Sequence, residues 1–209
     1  MSTLNKNTFQ TARLQFTPLV PSDAPALYND LRTAPSVMKW SRQGRIDYNL
    51  QDTISWINKL AEGMNVPSPS SDNEGSKPVG MVFSIREGEG EARAEEDKII
   101  GTIGVRLTKS ELSEGEQFEL GYMFVPSVWG KGYATEAVRG FVRWWFEFSE
   151  DYFASHSNDD DNDGVYAVVA KENGPSLRVM EKCGFRVHGE GKDEHGTEIV
   201  EYRISRSDV

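Results

Sequence analysis

The chain has 209 residues, 37% of them hydrophobic and 11% aromatic, enough to bury a real core and too many for a disordered polymer. Its formal net charge of −10 weighs against nucleic acid as a partner, since such binding needs lysines and arginines to displace phosphate counterions, and it is compatible with a cationic amine. The opening MSTLNKNTFQ has no basic-then-apolar leader, no apolar run approaches the roughly 20 residues of a membrane span, and the one cysteine, Cys183, has no intrachain partner; these features predict a cytoplasmic protein with no membrane association.

Residues 1–11 read as a polar arm, and 12–205 as a single domain followed by a short tail, 206–209. Ala12 to Leu19 alternates as a first strand, with Leu14 and Phe16 on one face. Pro21-Ser22-Asp23 starts a helix in which Ala24, Leu27, Tyr28 and Leu31 recur at helical spacing. A second helix is predicted over Asp52 to Glu62, with Ile54, Ile57, Leu60 and Ala61 on one face. Gly63 to Pro78 is rich in Pro, Ser and Gly and reads as a loop insertion. Two strands follow, Val79 to Ile85 and Lys98 to Leu107, joined as a hairpin by a charged insertion near 88–97. The next strand is Phe118 to Val125, and the strongest pattern in the chain is the helix Ala134 to Phe148. In that helix Ala134, Ala137, Val138, Phe141, Val142, Trp145 and Phe148 form one stripe. An acidic loop near 155–163 precedes a strand at Val165 to Ala170. A short helix over Pro175 to Cys183 then stops at Gly184, and strands are predicted over Phe185 to Gly189 and Glu198 to Ile204. The order is that of a mixed α/β domain.

Several chemical motifs fail on inspection. Gly130-Lys131 has Val125 where a Walker A loop needs glycine, and Gly132 where it needs a hydroxyl. Asp159, Asp161 and Asp163 precede Gly164 in calcium-loop spacing, but the closing Glu is replaced by Ala170. His156, His188 and His195 stand in polar contexts without metal-ligand spacing, so no metal is expected. What survives is a strand, Pro126, a tight turn, and Gly130-Lys131-Gly132-Tyr133-Ala134-Thr135 opening a helix. Glycines let backbone amides approach an anion, and a helix start offers free N–H groups and a positive dipole end. Two readings stand on this ground alone: a diphosphate cradle, or a tight strand–helix turn chosen for geometry.

The stretches ELGYMFVPSVWGKGYATEA and ENGPSLRVMEKCGF resemble the GNAT acetyltransferase superfamily, in the form typical of its RimJ/RimL-type branch. The second matches that family's N-x-x-S-x-x-x-x-E-K-x-G-F pattern at Asn173, Ser176, Glu181, Lys182, Gly184 and Phe185. Two residues depart from the wider family. Ser127 stands where its diphosphate pattern carries Gln or Arg, and Met180 where many members carry a tyrosine that protonates the leaving thiolate.

The resemblance implies a GNAT fold: a central, mostly antiparallel sheet with one splayed parallel pair, Phe118–Val125 against Val165–Ala170, and flanking helices. It implies transfer of an acetyl group from acetyl-CoA to a primary amine, either a protein N-terminus or a small molecule, by a monomer or homodimer. Met123, Phe124 and Val125 would meet the pantetheine arm. Gly130, Lys131, Gly132, Tyr133, Ala134 and Thr135 would hold the diphosphate, with Asn173 and Ser176 also on the coenzyme. Glu119, on the same strand face as Gly121, Met123 and Val125, is the expected base through a water, and Ser176 the expected proton donor. The alternative readings are a solvent-facing carboxylate for Glu119 and a helix cap for Asn173. Trp40 and Trp56 are candidates either for the acceptor wall or for the core. A GNAT fold that binds an acyl-CoA or a partner without chemistry is the competing functional reading.

Overall fold

The computed structural model describes residues 8–62, 80–88, 98–110, 112, 115–156 and 164–209. The strands are β1 (Phe9–Gln10), β2 (Leu14–Pro18), β3 (Gly80–Glu87), β4 (Ile99–Lys109), β5 (Glu116–Phe124), β6 (Gly164–Ala170), β7 (Arg186–Lys192) and β8 (Glu198–Ser205). The helices are α1 (Ala24–Leu27), α2 (Pro35–Met38), α3 (Leu50–Glu62), α4 (Tyr133–His156) and α5 (Gly174–Lys182). All eight strands join one sheet in the order β1-β2-β3-β4-β5-β6-β8-β7. Every neighbour is antiparallel except β5 and β6, which are parallel. The sheet is therefore the expected GNAT arrangement, with the hairpin β3–β4 in its predicted place. Of the loops predicted at 63–78, 88–97 and 155–163, residues 63–78, 89–97 and 157–163, with Asp159 and Asp161 and Asp163, lie outside the described residues, and 155–156 belong to the last turn of α4.

Helix α4 forms because its apolar residues recur at helical spacing, and the stripe is buried as that pattern requires. Ala137, Val138, Phe141, Val142 and Trp145 are each at most 2% exposed. At about 1.5–3 kcal/mol for each large apolar side chain, this stripe is a main contributor to the core. The helix runs on to His156, past the predicted Phe148. Phe118 of β5 meets the Trp145 ring edge-on at 4.9 Å, which fixes β5 against α4.

Two segments depart from their sequence patterns. Within the expected polar arm, Phe9 stacks between Phe16 at 4.1 Å and Trp144 at 5.1 Å, so β1 adds an edge strand. After α1 the chain widens into a π-helical turn over Tyr28–Arg32 rather than continuing as an α-helix. Such turns often occur at functional sites. This one ends on Arg32, only 2% exposed, whose guanidinium bonds Asp47 at 2.9 and 3.0 Å. Asp47 also accepts from Thr53 at 2.7 Å and Gln43 at 2.8 Å. Burial pushes the Asp47 carboxyl up, but these donors outweigh it and hold it below its ordinary value. The cluster pins the segment 39–49 against α3. Among the described residues no helix is long and apolar enough to cross a membrane.

Candidate active site

β5 and β6 pair only at Phe118↔Val165 and Glu119↔Tyr166. Beyond that point β5 stays on β4 and β6 stays on β8, so their facing edges part. Unpaired edges inside a fold leave backbone groups that need partners. The Val125 N–H donates to the Ile100 carbonyl at 2.9 Å. By the alternation of an antiparallel ladder, Met123 also turns its backbone toward β4, while Tyr122 and Phe124 turn theirs into the gap. The Phe124 carbonyl accepts the Trp129 indole N–H at 2.8 Å. The Phe124 N–H is thus the donor of the predicted Met123–Val125 stretch that faces the opening. Val125, spent on β4, does not line the cleft.

The turn after β5 is a 3₁₀ turn at Pro126–Val128, then Gly130 at φ 77° and Gly132 at φ 81°. Residues with a Cβ rarely adopt that region, which accounts for both glycines. The Glu136 N–H closes the first α4 turn on the Gly132 carbonyl at 3.1 Å. This leaves the N–H groups of Tyr133, Ala134 and Thr135 with no acceptor inside the helix. Arg13 of the β1–β2 turn braces the outside. It bonds Glu136 at 2.6 Å and the Lys131 carbonyl at 3.1 Å, and lies 4.5 Å over the Tyr133 ring. Burial pushes Glu136 up, but the Thr11 and Arg13 donors prevail and hold it below its usual range. Lys131 lies outside the cleft lining.

At the closed end of the gap, Glu119 stands directly across the ladder from Arg106. Its carboxylate takes Arg106 at 2.7 Å and Arg42 at 3.1 and 3.2 Å. With a side chain only 13% exposed, it is neither a freely solvated nor an isolated carboxylate. Arg42 reaches it from the segment that the Arg32–Asp47 cluster pins. Trp40 and Trp56 line this end of the cleft; the Arg32 guanidinium lies 4.4 Å over Trp56.

α5 closes the gap from below β6. Asn173 caps it, accepting the Ser176 N–H at 3.3 Å, and the Phe185 N–H returns to the Met180 carbonyl at 3.1 Å past Gly184, φ 87°. Asn173 and Ser176 both face the cleft, so capping and ligand contact coexist at Asn173. Opposite them is Tyr122, whose hydroxyl is buried with no hydrogen-bond partner among the described residues. An orphan buried hydroxyl costs about 1–3 kcal/mol.

These elements enclose one continuous cleft of about 800 Å³. It brings together Glu119, Met123, Phe124, Gly130, Gly132, Tyr133, Ala134, Thr135, Asn173 and Ser176, and leaves out Val125 and Lys131. Sequence reasoning missed Arg13, Arg42, Arg106 and Tyr122. For Tyr122 a signal existed: it is the single polar-tipped residue on the face shared by Phe118, Leu120 and Phe124. Among the described residues no group of histidine, cysteine and carboxylate side chains is arranged to hold a metal.

Residues 13–186 match the family model described as acetyltransferase (GNAT) domain. The chain is 30% identical over 95 residues to an uncharacterized N-acetyltransferase, p20, of Bacillus licheniformis. That alignment covers 46% of each chain, so it spans less than half of the curated relative. A GNAT-family acetyltransferase from Bacillus anthracis superposes with a TM-score of 0.67 at 23% identity, over 96% of this chain and 99% of the other. The ribosomal-protein-S5-alanine acetyltransferase of Vibrio fischeri gives 0.67 at 18% identity, over 96% and 97% of the two chains. The spermidine N-acetyltransferase of Vibrio cholerae, solved with CoA and spermine, gives 0.65 at 17% identity, over 95% and 98%. At these identities the superpositions speak for the fold.

Proposed function

The chain belongs to the acetyltransferase (GNAT) domain family, and from that premise we propose that it moves the acetyl group of acetyl-CoA onto a primary amine by direct attack in a ternary complex. The observation that carries this reading is the parting of β5 from β6 directly above the start of α4. That geometry leaves inward-facing backbone donors beside a cradle of free helix amides. The residues fit the ligand: Gly130 and Gly132 take the positive φ of the turn that leads into α4, and the positive end of α4 suits a diphosphate.

Acetyl-CoA supplies an activated acyl group with a thiol leaving group. The N–H groups of Tyr133, Ala134 and Thr135 hold the diphosphate, with Arg178 and Lys182 of α5, which line the same cleft, adding positive charge. The Phe124 N–H faces the thioester oxygen; such a donor, fixed before reaction, contributes a few kcal/mol, about 2.7–4 where one has been removed. Asn173 and Ser176 contact the coenzyme, and Ser176 delivers a proton to the departing sulfur. Glu119 receives the amine proton through a water and, with Arg42 and Arg106, orients the acceptor between Trp40 and Trp56. The P-x-x-W-G-K-G-Y-A form of the loop, from Pro126 to Ala134, supports membership of the RimJ/RimL-type branch.

The acceptor is an amine, from a protein N-terminus or a small molecule. Both kinds enter the test, because the fold is shared with an enzyme named for a ribosomal-protein alanine and with one named for spermidine. The experiment is titration of the purified protein with acetyl-CoA at modest salt, followed by a thiol-release assay with a panel of polyamines, amino-acid amides and N-terminal peptides. A saturable complex with amine-dependent thiol release is expected. Absence of a complex refutes the proposal, and saturable binding with no release across the panel favours a binding module.

A further inference from the structure

The cleft carries a charge opposite to that of the whole chain. The protein's net charge is −10, yet Glu119 is the one carboxylate that lines the cleft among the described residues. The cations lining it are Arg32, Arg42, Arg106, Arg178 and Lys182. Arg178 and Lys182 belong to α5 and face the diphosphate in the reading above, and Arg32 is neutralised by Asp47. At the acceptor end two guanidiniums, Arg42 and Arg106, then meet a single carboxylate, and the balance is positive.

Accessibility points the same way. The Glu119 side chain is 13% exposed and already accepts from both guanidiniums, whereas Arg42 and Arg106 are 48% and 42% exposed. Arg106 uses Nε and Nη2 on Glu119, and Arg42 uses Nη2. A guanidinium has five N–H donors in a planar fork, so one that holds a carboxylate can hold a second acceptor on another edge. An incoming ammonium meets the reverse situation, a shielded carboxylate behind two exposed cations. The tryptophans do not change this. Paired rings can cage an ammonium, but Lys39 Nζ lies 4.4 Å from the Trp40 ring centre and the Arg32 guanidinium 4.4 Å from that of Trp56. With the chain's own cations already on these rings, Trp40 and Trp56 join Val37 and Leu60 as an apolar wall.

Resting on the acetyl-transfer reading above, we propose that the acceptor is a small amine that also carries a carboxylate. The carboxylate docks on the exposed edges of Arg42 and Arg106, the apolar body lies along Trp40 and Trp56, and the amine reaches toward the thioester. Guanidinium forks match a carboxylate in shape and bind it through charge-assisted hydrogen bonds. Arg106 is held on β4 and Arg42 on the segment that the Arg32–Asp47 pair pins, so both are positioned before the acceptor arrives. The same two charges repel a polyamine, a discrimination that rests on an unfavourable contact as much as on a favourable one. Salt screens charges beyond about 8 Å at physiological strength, so this local pair outweighs the acidic surface in choosing the acceptor.

The test uses two matched sets of amines: ω-aminohexanoate, hexylamine and hexamethylenediamine, which differ only at the far end, and phenylalanine with its amide. Thiol release at modest salt is expected to give the carboxylate member of at least one set about a 30-fold higher kcat/KM than its neutral partner, the scale of hydrogen bonds to a charged group. The diamine is expected to be the poorest of its set. Hexanoate, which lacks the amine, competes with the acceptor and not with acetyl-CoA. Arg42→Gln and Arg106→Gln each lower the acid-to-neutral ratio about fivefold, Arg42→Lys keeps part of it, and the double glutamine variant brings it near unity. The ratio is the readout because both arginines also hold Glu119, and their loss slows every acceptor. Acetyl-CoA affinity stays within about threefold throughout. Neutral or cationic members that match the acids in both sets, turnover confined to peptides or polyamines, or a preference that survives the double variant overturns the proposal and leaves acetyl transfer standing. A protein that binds acetyl-CoA yet releases no thiol with any amine overturns both readings.

Discussion

The Arg32–Asp47 pair makes the strongest demand on both stability and function, and Asp47→Ala tests it. Arg32 and Asp47 side chains are 2% and 0% exposed, joined by two bonds of 2.9 and 3.0 Å. Removing the carboxylate strands a guanidinium away from water, and breaking one partner of such a pair costs about 3–5 kcal/mol. A domain of this size loses roughly 2–4 °C per kcal/mol, so the melting temperature falls by about 6–20 °C. Replacing both partners by apolar residues, as in Arg32→Met with Asp47→Leu, recovers most of the loss, because no charge is left buried. The pH dependence follows from the depressed Asp47 carboxyl. Its contribution is complete above the ordinary carboxylate value of about 3.9 and is lost as pH falls through the lower folded value. The difference between parent and Asp47→Ala is therefore flat near neutrality and narrows below about pH 4. Function should follow, because the same segment carries Arg42 onto Glu119: amine KM rises in Asp47→Ala while acetyl-CoA affinity holds. Calorimetric melts from pH 7 to 3 and steady-state kinetics are the assays. A shift under about 2 °C at pH 7 refutes the reasoning.

Glu119→Gln keeps hydrogen-bond capacity but cannot take a proton; turnover drops by about 100-fold with acetyl-CoA affinity unchanged, and unaltered rates remove Glu119 as the base. Gly132→Glu places a side chain at φ 81° and a like charge beside the diphosphate, so acetyl-CoA binding disappears by calorimetry and the fold loses about 1–2 kcal/mol. Retained affinity in that variant puts the diphosphate elsewhere. Phe9→Ala removes a half-buried ring stacked on Phe16 and Trp144; denaturant unfolding shows a loss of about 1–3 kcal/mol, and a loss below about 0.5 means β1 adds nothing to the core.

Periodicity and backbone chemistry were readable from the residues because both are local. The α4 stripe, the alternation of β5, the Asn173 cap and the two left-handed glycines each follow from spacing or from the lack of a Cβ. Those local rules also raised the diphosphate cradle as one of two readings, since a helix start preceded by glycines offers free N–H groups to an anion. The sequence also implied a parallel, splayed β5–β6 pair, but only through resemblance; the pairing itself is a long-range contact.

Tertiary structure decided what no window of sequence contains. Arg106 meets Glu119 because the β4–β5 register sets them opposite one another, and a register is a property of two strands together. Arg42 arrives on the same carboxylate from a segment distant in sequence, held by a buried ion pair whose members lie on separate elements. Ladder parity, set by the same register, turned the Phe124 amide inward and spent that of Val125 on β4. Tyr122 read as one more apolar position by alternation, and only packing revealed that its hydroxyl is buried without a hydrogen-bond partner among the described residues. Net charge likewise suggested a partner for the whole surface, whereas folding gathered Arg42 and Arg106 around one carboxylate in the cleft. Electrostatic recognition depends on distances of a few ångströms, and those distances are set by the fold.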